Sequence, residues 1–333
     1  MTRRVAVPPA AACFLAAILF AGTAAAVHVP QYDPVRRGPH VRSERLGRTT
    51  GPITVVAAGD IACDPKNPLF KGGRGVGQWC RAAAVRKVID RAKPNLVLAL
   101  GDEQYDNGRL SAFRNSYGKS WGHDRWRTRP AAGNHEYEVD PRASGYFDYF
   151  GARAGRNGRG WYSFNKGTWH LIALNSNCWV SGCKPGTKQY AWLKADLRAN
   201  RTRCSLAYMH HPLVSSGPHG DDESHARPLW KLLYRAGVEV VLVGHDHIYE
   251  RFAQIRPDGS KDVKHGFREF IVGTGGAEHY SIVHVHKNSQ VRNTTAFGVL
   301  RLRLRDGSYA WRFLPAAGAT FTDSGSDRCH GAP

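Results

Sequence analysis

The chain has 333 residues, enough to bury a sizeable core in one large domain or two small ones. Its 47 Lys and Arg against 27 Asp and Glu give a formal net charge of +20, which points to anionic partners without naming one. Seven cysteines occur with no Cys-x-x-Cys spacing, which excludes zinc-finger use.

Arg3 and Arg4 precede an apolar, alanine-rich run over residues 10–21, and Thr23-Ala24-Ala25-Ala26 supplies small residues suited to cleavage. Residues 1–26 therefore read as a secretory signal peptide, and the protein is expected to be secreted or extracytoplasmic. The run is too short and alanine-rich for a membrane anchor, so no transmembrane segment is expected after its removal. The adjacent arginines leave the export route open. Processing removes Arg3, Arg4 and no acidic residue, lowering the net charge from +20 to +18. It also removes Cys13. An even set remains, Cys63, Cys80, Cys178, Cys183, Cys204 and Cys329, which outside the cytoplasm predicts three disulfides. The tight loop around Gly182 and Pro185 favours Cys178–Cys183, and Cys63–Cys80 with Cys204–Cys329 follow by elimination.

Residues 27–51 are rich in Pro, Gly and Arg without periodicity and read as an irregular N-terminal arm. Ile53-Thr54-Val55-Val56-Ala57-Ala58 is a short apolar strand that stops at Gly59-Asp60. The following loop holds Gly72, Gly73, Gly75 and Gly77 but lacks the Lys-Ser/Thr ending of a phosphate-binding P-loop. Ala84, Val85, Val88 and Ile89 share a helical face within 81–92, which Pro94 closes. Leu96-Val97-Leu98-Ala99-Leu100 is a second buried strand, and it too stops at Gly-Asp, Gly101-Asp102. A strand–helix–strand unit with carboxylates at both strand ends places them where open α/β sheets bind ligands.

Residues 105–160 are rich in aromatic residues and glycine and are hard to assign, and within them Pro130-Ala131-Ala132-Gly133-Asn134-His135-Glu136 reads as a polar loop after a proline. Trp169 to Leu174 is a strand ending at Asn175; Tyr190, Leu193 and Leu197 mark a helix. Ser205 to Met209 is a strand ending at His210-His211-Pro212. A loop over 213–227 contains Gly217, Pro218, His219, Gly220 and His225, and Leu229, Leu232 and Leu233 mark the next helix. Val240-Val241-Leu242-Val243 is a buried strand that leads directly into Gly244-His245-Asp246-His247. Phe270-Ile271-Val272 precedes Gly273-Thr274-Gly275-Gly276. A hairpin follows, with Leu300, Leu302 and Leu304 alternating with arginines, a turn at Asp306-Gly307, and Tyr309, Trp311 and Phe313 on the return. No linker separates residues 53–315, so one catalytic domain over 52–333 is expected.

Asp60, Asp102, Tyr105, Asn134, His135, His210, His245 and His247 thus all sit at strand ends. Singly they would pass for turn or packing residues. As a set they are oxygen and nitrogen donors for hard or borderline metals, which is what phosphoester hydrolysis at a two-metal centre requires.

The blocks Gly59-Asp60, Gly101-Asp102-x-x-Tyr105, Gly133-Asn134-His135-Glu136, His210-x-Pro212 and Gly244-His245-Asp246-His247 resemble, in order and spacing, those of the calcineurin-like metallophosphoesterases. Tyr105 and the extension through Glu250-Arg251 resemble the purple acid phosphatase branch. The resemblance covers roughly residues 53–280. It implies an α/β fold of two mixed β-sheets packed face to face and flanked by helices. It implies two metal ions, Fe(III) plus a divalent Fe, Zn or Mn ion. Asp60, Tyr105 and His247 would hold the first, Asn134, His210 and His245 the second, and Asp102 would bridge. His135 would bind the phosphate or protonate the leaving group, and His219 or His225 would reach the phosphate from the long loop. His211 would be a neighbour of the site, Asp246 and Glu250 its hydrogen-bonding supports. Gly273 to Gly276 would either admit the backbone to the site or simply turn the chain. The implied activity is hydrolysis of phosphomonoesters on small phosphorylated substrates by a metal-bound hydroxide. The basic surface leaves anionic cell-surface polymers and nucleic acid as further partners, with a phosphodiesterase or nuclease as the alternative activity and a non-catalytic polyanion-binding protein as a third. The fifty or so residues before Ile53, half of them read as signal peptide, are not expected to supply the separate β-sandwich domain of plant-type relatives.

Overall fold

A computed structural model describes residues 51–331 apart from 221–223. The expected signal peptide and the N-terminal arm up to residue 50 lie outside the described residues. The apolar runs form strands because each is buried from both sides. β1 (Ile53–Ala58) and β2 (Leu96–Leu100) flank α1 (Ala82–Ala92), as the period-3.6 pattern requires, with Val85, Val88 and Ile89 buried. Next come α2 (Leu110–Asn115), β3 (Thr128–Ala131), α3 (Ser144–Phe150), β4 (Tyr162–Lys166) and β5 (Trp169–Ala173). The chain continues through α4 (Cys178–Ser181), α5 (Lys188–Ala199), β6 (Cys204–Tyr208), α6 (Arg227–Arg235) and β7 (Val240–Val243). It ends in strands: β8 (Tyr249–Ile255), β9 (Phe267–Val272), β10 (Ser289–Asn293), β11 (Gly298–Arg305), β12 (Ser308–Pro315) and β13 (Ser324–Arg328).

Two mixed sheets result, in the orders β13-β12-β11-β1-β2-β3 and β10-β8-β9-β7-β6-β5-β4. Leu300, Leu302 and Leu304 pair with Ala57, Val55 and Ile53 across β11 and β1, so their side chains share one face. That face joins Leu206, Tyr208, Val240, Leu242 and Phe270 of the second sheet in one buried core. The opposite residues of the second sheet, among them Ala207, Val241, Val243 and Ile271, pack with Leu193 of α5 and Leu229, Trp230 and Leu233 of α6. The arrangement is the face-to-face sandwich with flanking helices expected from the sequence. No helix among the described residues is long and apolar enough to cross a membrane.

Three features depart from the sequence reading. Pro130 and Ala131 do not open the polar loop but end β3, which pairs in parallel with β2. β3 is the edge strand of its sheet, so a residue without an N–H is tolerated there. The unassigned region 105–160 is built around aromatic side chains. Phe113 stacks on Tyr149 at 5.0 Å and meets Tyr117 and Phe150 edge-on, which orders short helices with no clean periodicity. β4, β8, β10 and β13 were not expected. β10 (SQVRN) and β13 (SGSDR) are polar edge strands, formed by pairing with β8 and β12 rather than by an apolar alternation.

All three expected disulfides are present, and Cys204–Cys329 ties β6 to the C-terminal segment across a separation of 125 residues. A bridge over so long a loop restricts the unfolded chain. The double variant Cys204→Ser/Cys329→Ser is expected to lose roughly 2–5 kcal/mol of stability. Urea unfolding under non-reducing conditions measures this, and an unchanged midpoint would refute it.

Candidate metal centre

Seven parallel strands end at one edge of the sandwich, β1, β2 and β3 from one sheet and β5, β6, β7 and β9 from the other. Backbone hydrogen bonds join the two sheets there, from Gly59 N to Val272 O (2.9 Å) and from Gly275 N to Gly59 O (2.9 Å). The chain must turn sharply on leaving these strands, and Asp60, Asp102 and His245 take left-handed φ values of 60°, 48° and 70°. Such conformations cost non-glycine residues about 1–3 kcal/mol each and persist where surrounding contacts determine them. Glycines supply the close approach. A Cβ at Gly133 would fall within the Asp102 carboxylate, and one at Gly244 would lie 2.6 Å from Asp60 Oδ2. Glu136 orients these turns by accepting hydrogen bonds from Asp102 N (3.0 Å) and Gly133 N (2.8 Å).

The structure brings together all seven residues expected to bind metal. The Tyr105 hydroxyl lies 3.0 Å from Asp60 Oδ1, 3.1 Å from Asp102 Oδ2 and 2.8 Å from His247 Nε2. On the other side, His210 Nε2 lies 3.1 Å from Asn134 Oδ1, 3.1 Å from His245 Nδ1 and 3.3 Å from Asp102 Oδ2. The same Asp102 oxygen therefore touches both groups of three. Tyr105, Asp60, Asp102, His210 and His247 are buried.

Electrostatics fit a cation at this point. Burial works against charge on Asp102, yet the His210 imidazole holds its carboxyl well below the usual carboxylate range. Burial likewise opposes a proton on His210, but Asp102 pushes it up to about 10. His245 is driven the other way, first by burial and then by His210 beside it. Burial, Asp102 and Asp60 raise the Tyr105 phenol well above 10.0, so a phenolate there needs a positive partner. Carboxylates, imidazoles and a phenol crowded at hydrogen-bond distance, with His210 and His245 nitrogens facing each other, make a donor set that metal ions satisfy better than one shared proton. Asp60, Asp102 and His210 each offer a ligand atom within 4.8 Å of the others, and so do His210, His211 and His245.

The remaining expected residues also find places. His135 packs on Tyr105 (4.5 Å between ring centres), with Nε2 3.8 Å from Asp102 Oδ2. His219 lies 4.4 Å from His245, and its Nδ1 is 2.9 Å from Asp246 Oδ1. Asp246 also accepts from the Ser215 hydroxyl, and Glu250 accepts from Ser216 N (2.9 Å). A Cβ at Gly273 would overlap Asp246 O, so the glycines after β9 admit backbone to the centre. His225 is exposed on the turn Ser224–Ala226 and makes no ring contact or hydrogen bond with these groups.

Tyr280 and Trp179 were given no role from sequence, and His211 lies nearer the ligand atoms than expected. Tyr280 stacks on His247 at 3.9 Å, and its only sequence signal was its place after the glycine run. His211, expected merely as a neighbour, lies within ligand reach of His210 and His245, held by Ser176 Oγ at 2.7 Å. Trp179 lies edge-on to His211 at 6.2 Å.

Residues 53–249 match the model of the calcineurin-like phosphoesterase family, and the chain belongs to that family. It is similar to probable purple acid phosphatase 20 of Arabidopsis thaliana, 33% identical over 159 residues that cover 43% of this chain and 36% of the relative. Purple acid phosphatase 23 of the same plant is 31% identical over 202 residues, covering 49% of this chain and 43% of the relative. The chain thus spans less than half the length of these curated relatives. Its fold is similar to that of the yellow lupin purple acid phosphatase, with a TM-score of 0.62, 18% identity, and coverage of 83% of this chain and 53% of that one. It is also similar to that of GAP50, described as the anchor in the inner membrane complex of Plasmodium, with a TM-score of 0.58, 15% identity and coverage of 82% and 88%.

Because Gly133 makes room for the Asp102 carboxylate, Gly133→Ala is expected to weaken metal retention by about 10- to 100-fold, the range for supporting residues around metal sites. Metal analysis after dialysis, with circular dichroism to verify folding, would measure it. Wild-type retention in a folded variant would contradict the geometry.

Proposed function

We propose that this chain is an extracytoplasmic phosphomonoesterase of the purple acid phosphatase type, built on a binuclear metal centre. The supporting observation is the place of Asp102, whose one oxygen meets Tyr105 of the Asp60–Tyr105–His247 group and His210 of the Asn134–His210–His245 group. Asp102 would there be shared between the two groups of ligands. Two ions held there would supply positive charge to the phosphate and lower the pKa of water at the site, and the Tyr105 phenol would suit Fe(III) at the first position with a divalent Fe, Zn or Mn ion at the second.

The chain's own residues do the rest. Asp246 fixes the His219 ring beside His245, where it binds a phosphate oxygen. His135, packed on Tyr105 near the bridging carboxylate, holds a proton at Nε2 and delivers it to the departing alkoxide. Tyr280 covers the His247 ring and keeps water from that side. Three disulfides support an extracytoplasmic setting. No observation on the fold or its relatives favours the phosphodiesterase or nuclease reading, or anionic polymers as partners.

His210→Ala is expected to abolish hydrolysis of phenyl phosphate while the protein stays folded, and unchanged turnover would refute the assignment. Iron-loaded protein is expected to show a visible tyrosinate-to-iron band that Tyr105→Phe removes. A colourless, fully active enzyme would instead mean that other metals occupy the first position.

A further inference from the structure

One large apolar side chain at the mouth of the site has no part in the phosphate chemistry. Trp179 is 64% exposed, although burying an indole is among the larger apolar gains a chain can make. Its ring lies 6.2 Å from that of His211, and His211 lies 4.5 Å from His245. The indole is therefore two ring contacts from the proposed second metal position.

The loop that carries it is braced. Cys178–Cys183 closes the loop across five residues. Inside it, Ser181 Oγ donates to Asn175 O at 2.8 Å, and Gln189 Nε2 donates to Asn175 O at 2.9 Å and to Ser181 Oγ at 3.1 Å. At its base, Asn177 Nδ2 donates to Gly133 O at 3.1 Å, tying the loop to the turn that carries Asn134. The indole is thus displayed to solvent at a set displacement from the metal centre. A fixed aromatic face of this kind stacks planar rings and tolerates differences among them.

We propose that Trp179 is a specificity residue that stacks the leaving group, so that the enzyme favours phosphomonoesters of planar aromatic alcohols or nucleosides over aliphatic ones. The proposal rests on the phosphomonoesterase reading and names its substrate class. Removing the ring costs affinity only for substrates that carry a ring of their own.

The test uses metal-loaded enzyme and two readouts. Calorimetric titration with phenylphosphonate and methylphosphonate requires no turnover. Trp179→Ala is expected to weaken phenylphosphonate about tenfold, the scale of one stacking contact, and leave methylphosphonate within about twofold. Trp179→Phe is expected to keep most of the wild-type affinity. In steady-state assays, KM for phenyl phosphate and for adenosine 5′-monophosphate should rise about tenfold in Trp179→Ala with kcat unchanged, while glycerol phosphate is unaffected. Comparing variant with wild type on each substrate cancels the intrinsic reactivity of the leaving group. A larger effect on the nucleotide identifies a nucleobase as the natural ring, and a larger effect on phenyl phosphate an aryl group. Equal effects on both phosphonates, or none on either, would overturn the proposal. Failure of the phosphomonoesterase reading would show separately, as wild-type enzyme that turns over no monoester while phosphonate binding still reports on Trp179.

Discussion

Burial of the Asp60 and Asp102 carboxylates is the constraint on which the rest of the centre depends. Neither is solvent-exposed, and an unpaired carboxylate in such a place costs several kcal/mol. The chain answers with donors from turns on other strands. His135 N donates to Asp102 Oδ1 at 3.0 Å, and His245 N donates to Asp60 Oδ2 at 3.1 Å. The turn after β3 is thereby tied to the carboxylate after β2, and the turn after β7 to the one after β1. A turn that drifted would leave a buried charge without its partner. The left-handed backbone at Asp60, Asp102 and His245, and the glycines at 133 and 244, serve the same geometry.

The sandwich makes this convergence feasible because one sheet contributes three parallel strands and the other four, all ending at the same edge. Floor and rim then differ in origin. The floor is set at the ends of rigid strands, which suits a donor set needing fixed geometry. Much of the rim comes from loops: Trp179 on a disulfide-closed turn, Tyr280 after the glycine run, His219 in the long loop after Pro212. Loops are where related scaffolds diverge in what they recognise. A shared architecture does not by itself specify chemistry. The donor residues carry the catalytic reading.

Much of this was legible in the residues. β1, β2, β6 and β7 are short apolar runs stopped by polar or glycine residues, so both the strands and the side chains at their ends could be read off directly. The hairpin of β11 and β12 followed from its period of two and its Asp306-Gly307 turn. β10 and β13 were not legible, because polar edge strands exist through their neighbours rather than through their own pattern. The region between Tyr105 and Gly160 resisted for a related reason. Its order comes from aromatic contacts among Phe113, Tyr117, Tyr149 and Phe150, which leave no helical or strand period.

By itself, then, the sequence determined which residues could serve as donors, most of the strand ends they follow and the family they resemble, because these are local properties of short segments. Only the tertiary structure decided how the donors group. Tyr105 meets Asp60 across 45 residues and His247 across 142, and no local pattern encodes separations of that size. Packing of one sheet on the other places Asp102 between the two sets, brings His211 within reach of His245, and leaves Trp179 exposed at the mouth. Those relations depend on how far apart two sheets and their loops come to rest, a distance set by the volume of the core between them.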